Sequence, residues 1–199
     1  MAAATATTHG GGLSPGEIDQ RDRLIKRVWN TDDLGTTLAE QFGSPLRFSV
    51  SDQQRRRPSI LESQALYLGT TRSGDVLARS GMLCPAIHAT EPLQVATVRS
   101  VVVWNRLPYK ARLALQNDDE LPLGAALRRY GVRRHTDEAV PLDIVDDHGK
   151  QQLLRVRARL TLPGTRPVAI VDEIVYLELL RRPRRPADTR RSETPVAAL

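Results

Sequence analysis

Residues 153–180, LLRVRARLTLPGTRPVAIVDEIVYLELL, decide the fold. Leu153–Leu162 and Val168–Leu180 are aliphatic runs of strand character, and Pro163-Gly164-Thr165-Arg166-Pro167 is a turn between them. So short a link cannot hold a crossover, so the two strands are antiparallel neighbours. The same pattern recurs upstream. Ala139–Val145 leads into Leu153–Leu162 through the turn signal Asp146-Asp147-His148-Gly149, and Val76–Cys84 precedes Leu93–Trp104 around Ala89-Thr90-Glu91-Pro92. Leu46, Phe48 and Val50 alternate with polar residues. An antiparallel sheet of about six strands is the expectation.

Helical signals cluster in two places. Ser14-Pro15-Gly16-Glu17 opens a helix that carries Ile18, Ile25 and Val28 and runs to Trp29. A second starts at Thr31 or Asp32, passes through Leu34, Leu38 and Phe42, and stops at Gly43. Further on come Tyr109–Asn117, with Leu113 on its apolar face, and a short helix that begins after Pro122 and runs to Tyr130, stopped by Gly131. Asp52–Pro58 reads as a polar loop, and Ala65–Gly69 as a short strand or helix end. The class is α+β, with helices mainly on one face of the sheet.

A chain of 199 residues favours one domain, here 17–180, between an unstructured segment 1–16 and an Arg/Pro-rich tail 181–199. The net charge of +6 invites a nucleic-acid reading, but the tail alone holds six arginines against Asp188 and Glu193. The folded part is close to neutral, which argues against nucleic acid. No apolar run reaches membrane-spanning length, and the N-terminus lacks the pattern of a secretory signal. Cys84 is the only cysteine, which fits a reducing cytoplasm and excludes an internal disulfide. There is no Gly-rich phosphate loop after a strand, no CxxC and no HExxH, so neither metal nor nucleotide is expected.

Three places could carry chemistry. Arg79 interrupts the otherwise largely apolar run Val76–Leu83. Its guanidinium either stands on the solvent face or turns inward, where its planar fork would hold a carboxylate by two bonds. Pro122-Leu123-Gly124 is either a plain turn or a helix start with free backbone N–H groups. Asp172 and Glu173 fall on opposite faces of the last strand, so one can be solvated while the other points inward. A desolvated carboxyl there could donate a proton. His88 and His135 read as surface residues.

These motifs, in their order, resemble the chorismate pyruvate-lyase family over roughly residues 29–176. The matching segments are Asp33-Leu34-Gly35-Thr36 with Phe42-Gly43, then Arg79-Ser80-Gly81-Met82-Leu83-Cys84, and then Arg99-Ser100-Val101-Val102 with Arg106-Leu107-Pro108. Pro122-Leu123-Gly124 with Leu127 and Thr136-Asp137 follows, and Arg157-Ala158-Arg159-Leu160 through Pro167 to Asp172-Glu173 closes the series. The resemblance implies a chorismate lyase-like fold with a flap-covered internal cavity. It implies that Arg79 and the backbone of Leu123 bind a ring carboxylate, that Arg99 serves a second anionic group, and that Glu173 is the acid at the far end. Gly35 replaces a larger pocket residue of that family.

The function so implied is a carbon–oxygen lyase that eliminates pyruvate from chorismate to give 4-hydroxybenzoate or a related aromatic acid. It would need no cofactor and no metal, would take a chorismate-like dianion, and would work in the cytoplasm as a monomer or homodimer. The second reading is a non-catalytic sensor of an aromatic acid, because the same fold serves as the effector domain of a class of bacterial repressors. The region before Leu46 is short for the DNA-binding part of such a repressor. The third reading, a basic-tailed nucleic-acid binder, finds little support in the near-neutral folded part.

Overall fold

A computed structural model of the chain describes residues 12–68, 76–86 and 93–181. The expectations for 1–11, for 182–199 and for the turn at Ala89–Pro92 lie outside these residues.

Helix α1 (Pro15–Trp29) begins with a capping box: the Ser14 hydroxyl accepts from the Glu17 amide, and the Glu17 carboxylate accepts from the Ser14 amide at 2.8 Å. Leu24 and Val28 are buried, whereas Ile18 and Trp29 are exposed. Helix α2 (Leu34–Phe42) starts after Thr31 and Asp32, because the Thr31 hydroxyl bonds the Asp33 amide at 3.1 Å and Asp33 is the N-cap. It ends at Gly43, whose φ of 80° suits glycine.

Strand β1 (Leu46–Arg56) corrects the loop expected at 52–58: after a bulge between Val50 and Asp52 it pairs on from Asp52↔Ser80 to Arg56↔Val76. Its polar, exposed second half is what an edge strand tolerates. Helix α3 (Ile60–Ala65) follows, then β2 (Val76–Pro85), β3 (Ala96–Val103), α4 (Tyr109–Asn117) and α5 (Leu123–Leu127). Helix α4 buries Ala111 and Leu115, and Leu113, expected on its apolar face, is exposed. Strands β4 (Arg133–Val145), β5 (Gln151–Thr161) and β6 (Ala169–Tyr176) complete the chain's sheet.

The six strands form one antiparallel sheet in the order β1-β2-β3-β6-β5-β4. Helices α4 and α5 carry the chain from β3 to the far edge. Two successive hairpins then bring it back to the centre beside β3.

One face of the sheet carries α1, α2, α4 and α5, and the core beneath them has two halves. Leu24, Leu38 and Phe42 pack with Leu83, Val156 and Val175 in one; Ala111, Leu115 and Leu127 pack with Val102, Leu160 and Val171 in the other. Val98 touches both. On the opposite face, among the described residues, Leu66 packs against Val76 and Val103.

Candidate ligand site

The seam between the two core halves opens into a cavity of about 300 Å³. Its floor is the middle of the sheet, and its mouth lies between the start of α2 and the start of α5. Of the residues singled out in the sequence, Gly35, Arg79, Leu123 and Glu173 line it, and Arg99 does not.

Arg79 is 2% exposed on β2. Its terminal nitrogens donate to the backbone oxygens of Leu121 at 3.2 Å and Asp119 at 3.1 Å, both in the segment that leads into α5. The guanidinium lies 5.6 Å from the centre of the Phe48 ring. Gly81, two residues along β2, makes room for that ring: a Cβ there would come within 2.6 Å of Phe48 Cζ and closer still to the Ser49 carbonyl oxygen. Arg79 Nε is buried without a hydrogen-bond partner, and no carboxylate among the described residues forms an ion pair with the side chain. Burial pulls the guanidinium below the ordinary arginine range, opposed by the nearby charges of Asp119 and Asp118, both exposed. A buried cation without a counter-ion is costly and calls for one.

Glu173 does not face the cavity alone. Arg134, from β4, reaches its carboxylate with both terminal nitrogens, at 3.1 Å and 2.5 Å, and the two side chains are 8% and 4% exposed. The strand register explains the reach: Arg134 pairs with Leu160, Glu173 with Val156, and the intervening rung carries Ala158 on β5. Ala158 is small enough for a long side chain to cross. Sequence reasoning missed Arg134 because the strand was expected to begin at Ala139, so the alternation over 133–138 went unread. Arg133 is exposed and Arg134 buried, as that alternation requires.

Arg79 and Glu173 sit two strands apart, on the order of 10 Å by strand spacing. Between them lie Ser100, which is buried and pairs with Arg79 in register, and the apolar walls Val98 and Val171. At the mouth, Asp33 caps α2 and also bonds Arg128 at 2.5 Å, while Asp32 holds Arg133 at 3.1 Å and the Arg134 amide at 3.2 Å. The first turn of α2 leaves Gly35 against this rim.

Arg99 stands on the opposite face, exposed, in a polar rung that crosses all six strands: Asp52, Ser80, Arg99, Asp172, Arg157 and Glu138. Its side chain is therefore not part of the cavity that Glu173 lines. Among the described residues, no three or more His, Cys, Asp or Glu side chains gather as a metal site, and no helix is long and apolar enough to cross a membrane.

No protein-family model matches the chain, and no curated protein matches it. Solved structures do. The effector domain of PhnF from Mycobacterium smegmatis is 12% identical, with a TM-score of 0.52 over 73% of this chain and 88% of that one. PhnF itself, from the same organism, is also 12% identical, with a TM-score of 0.53; the match covers 73% of this chain and 64% of PhnF, under two thirds of its length. A GntR-family transcriptional regulator from Enterococcus faecalis is 13% identical, with a TM-score of 0.44 over 64% of this chain and 91% of that one.

The two PhnF matches overturn the assignment to the chorismate pyruvate-lyase family and its fold, and with it the lyase reading: chorismate as substrate, pyruvate release and a part in aromatic-acid biosynthesis. The geometry gives the physical reason. The second arginine wanted for a dianionic substrate, Arg99, is on the opposite face, and the supposed acid, Glu173, is ion-paired with Arg134 through both oxygens. The fold is α+β, with a six-stranded antiparallel sheet and flanking helices, as in the effector domain of PhnF.

Proposed function

We propose that this chain is a non-catalytic binding domain for a small organic anion, of the kind an aromatic acid represents, held in the cavity beside Arg79. The observation that carries the reading is Arg79 itself: a buried cation with no ion pair among the described residues, in the wall of a cavity with largely aliphatic sides. An anionic ligand supplies the missing counter-charge, and a planar guanidinium suits a carboxylate. Leu123, first residue of α5, adds a backbone N–H that has no acceptor within its own helix. Phe48, Leu83 and Val98 offer apolar surface to the body of the ligand. Glu173 and its partner Arg134 form the far end.

Ligand binding in such a site acts as a signal only through the stability or shape of the domain, because nothing is converted. Calorimetric titration with benzoate tests the reading. Saturable binding by the native chain, lost in Arg79→Met, is the expected result. Equal binding by both proteins contradicts it.

A further inference from the structure

Charge bookkeeping within the cavity narrows the ligand further. Six charged side chains line it: Asp32, Asp33, Arg79, Arg128, Arg134 and Glu173. Asp33 is paired with Arg128, Asp32 with Arg133, and Glu173 with Arg134. Arg79 is the one lining charge with no ion pair among the described residues. Resting on the anion-site reading above, we infer that the cavity takes a monoanion and refuses a dianion, and that the Glu173–Arg134 pair sets this limit.

The reason is desolvation. A ligand carboxylate beside Arg79 gains a counter-charge as it leaves water. A second carboxylate at the other end gains none, because Arg134 is already committed to Glu173 and is held by two bonds. A neutral donor at that end is in a different position. A carboxylate has about four lone-pair sites, and Arg134 uses two on Glu173, so a ligand hydroxyl or amide N–H can still be accepted. The pair thus makes the far end polar without making it charged. The ligand class is a compact monoanion with a neutral hydrogen-bond donor opposite its acid group.

Two probes of the same size separate charge from shape: 4-carbamoylbenzoate, a monoanion with an amide donor, and terephthalate, the matching dianion. Isothermal titration of the native chain should show terephthalate weaker by about tenfold or more, the scale of one uncompensated charge only partly hydrated. Glu173→Gln frees the Arg134 cation and should shift the ratio toward terephthalate by about tenfold or more. The double variant Arg134→Gln/Glu173→Gln leaves no buried charge at that end and should keep the monoanion preference. It also guards against a misfolded single variant. Equal affinity of the two probes for the native chain overturns the inference. Failure of the native chain to bind either probe or benzoate removes the anion site itself, a separate outcome.

Discussion

Arg134 and Glu173 meet inside the molecule through a two-pronged ion pair that spans β4 to β6, with β5 between them. Neither residue is in contact with bulk water to any useful degree. Such a pair is worth little compared with an apolar replacement, yet removing one half leaves a naked buried charge. Glu173→Gln and Arg134→Gln should therefore each destabilise the fold by about 3–5 kcal/mol, while the double variant recovers much of that loss. Urea unfolding of the four proteins closes the cycle. Additive losses would mean that the two side chains do not act as a unit.

Arg79 should behave in the opposite way. It has no ion pair among the described residues, and its two bonds to the Leu121 and Asp119 carbonyls are its main contribution to stability. Arg79→Met trades those bonds for relief of a buried charge, so stability should change by no more than about 2 kcal/mol in either direction. The chemical denaturation midpoint measures this. A loss much larger than that would make Arg79 a structural residue rather than a ligand residue.

Gly81→Ala tests how tightly the Phe48 seat is built. The added methyl meets the Phe48 ring and the Ser49 backbone, and β1 cannot move away without breaking its pairing with β2. A loss of about 1–3 kcal/mol is expected, as for overpacking elsewhere in cores. Anion affinity should fall with it, because the ring beneath the Arg79 guanidinium is displaced. Thermal unfolding with and without benzoate reads both effects.

Away from the cavity, Arg56 clasps Glu62 by two bonds and holds its carboxyl down at about 2, from the usual 4.5. A carboxyl that is more acidic in the folded state stabilises that state above its unfolded pKa. The contribution disappears as pH falls from about 4.5 to about 2. Because Arg56 is a third exposed, solvent screening leaves of order 1 kcal/mol. Glu62→Gln should flatten the stability–pH curve in that window and leave its slope unchanged elsewhere. An unaltered acid limb would show that the clasp is not populated in solution.

How much of this was legible beforehand depends on the kind of signal. The β5–β6 hairpin and the capped start of α1 are written in local turn and cap chemistry, which acts over a few residues. Strand phase is a different matter. In Ala96–Val103 Arg99 and Ser100 are adjacent and apolar residues stand on both sides of them, so alternation cannot say which of the two turns inward; only the register with β2 and β6 decides it. Arg134 was hidden for the same reason, being one of two adjacent arginines in a stretch with no aliphatic rhythm. The polar half of β1 looked like a loop because an edge strand needs no apolar face to pair. The family assignment failed where short shared motifs were asked to carry a chemistry that the paired Glu173 and outward Arg99 do not supply.

The most direct measurement is made on Arg79 itself. Its Nε–H is buried without an acceptor among the described residues, so the nitrogen-15 resonance of that group should report the arrival of a counter-ion. Titration with benzoate should move the Arg79 Nε–H signal saturably, with the same dissociation constant as calorimetry, and Arg79→Met should abolish both. Benzoate binding that leaves the Arg79 signal in place, or a signal that does not move at any benzoate concentration, would contradict the account.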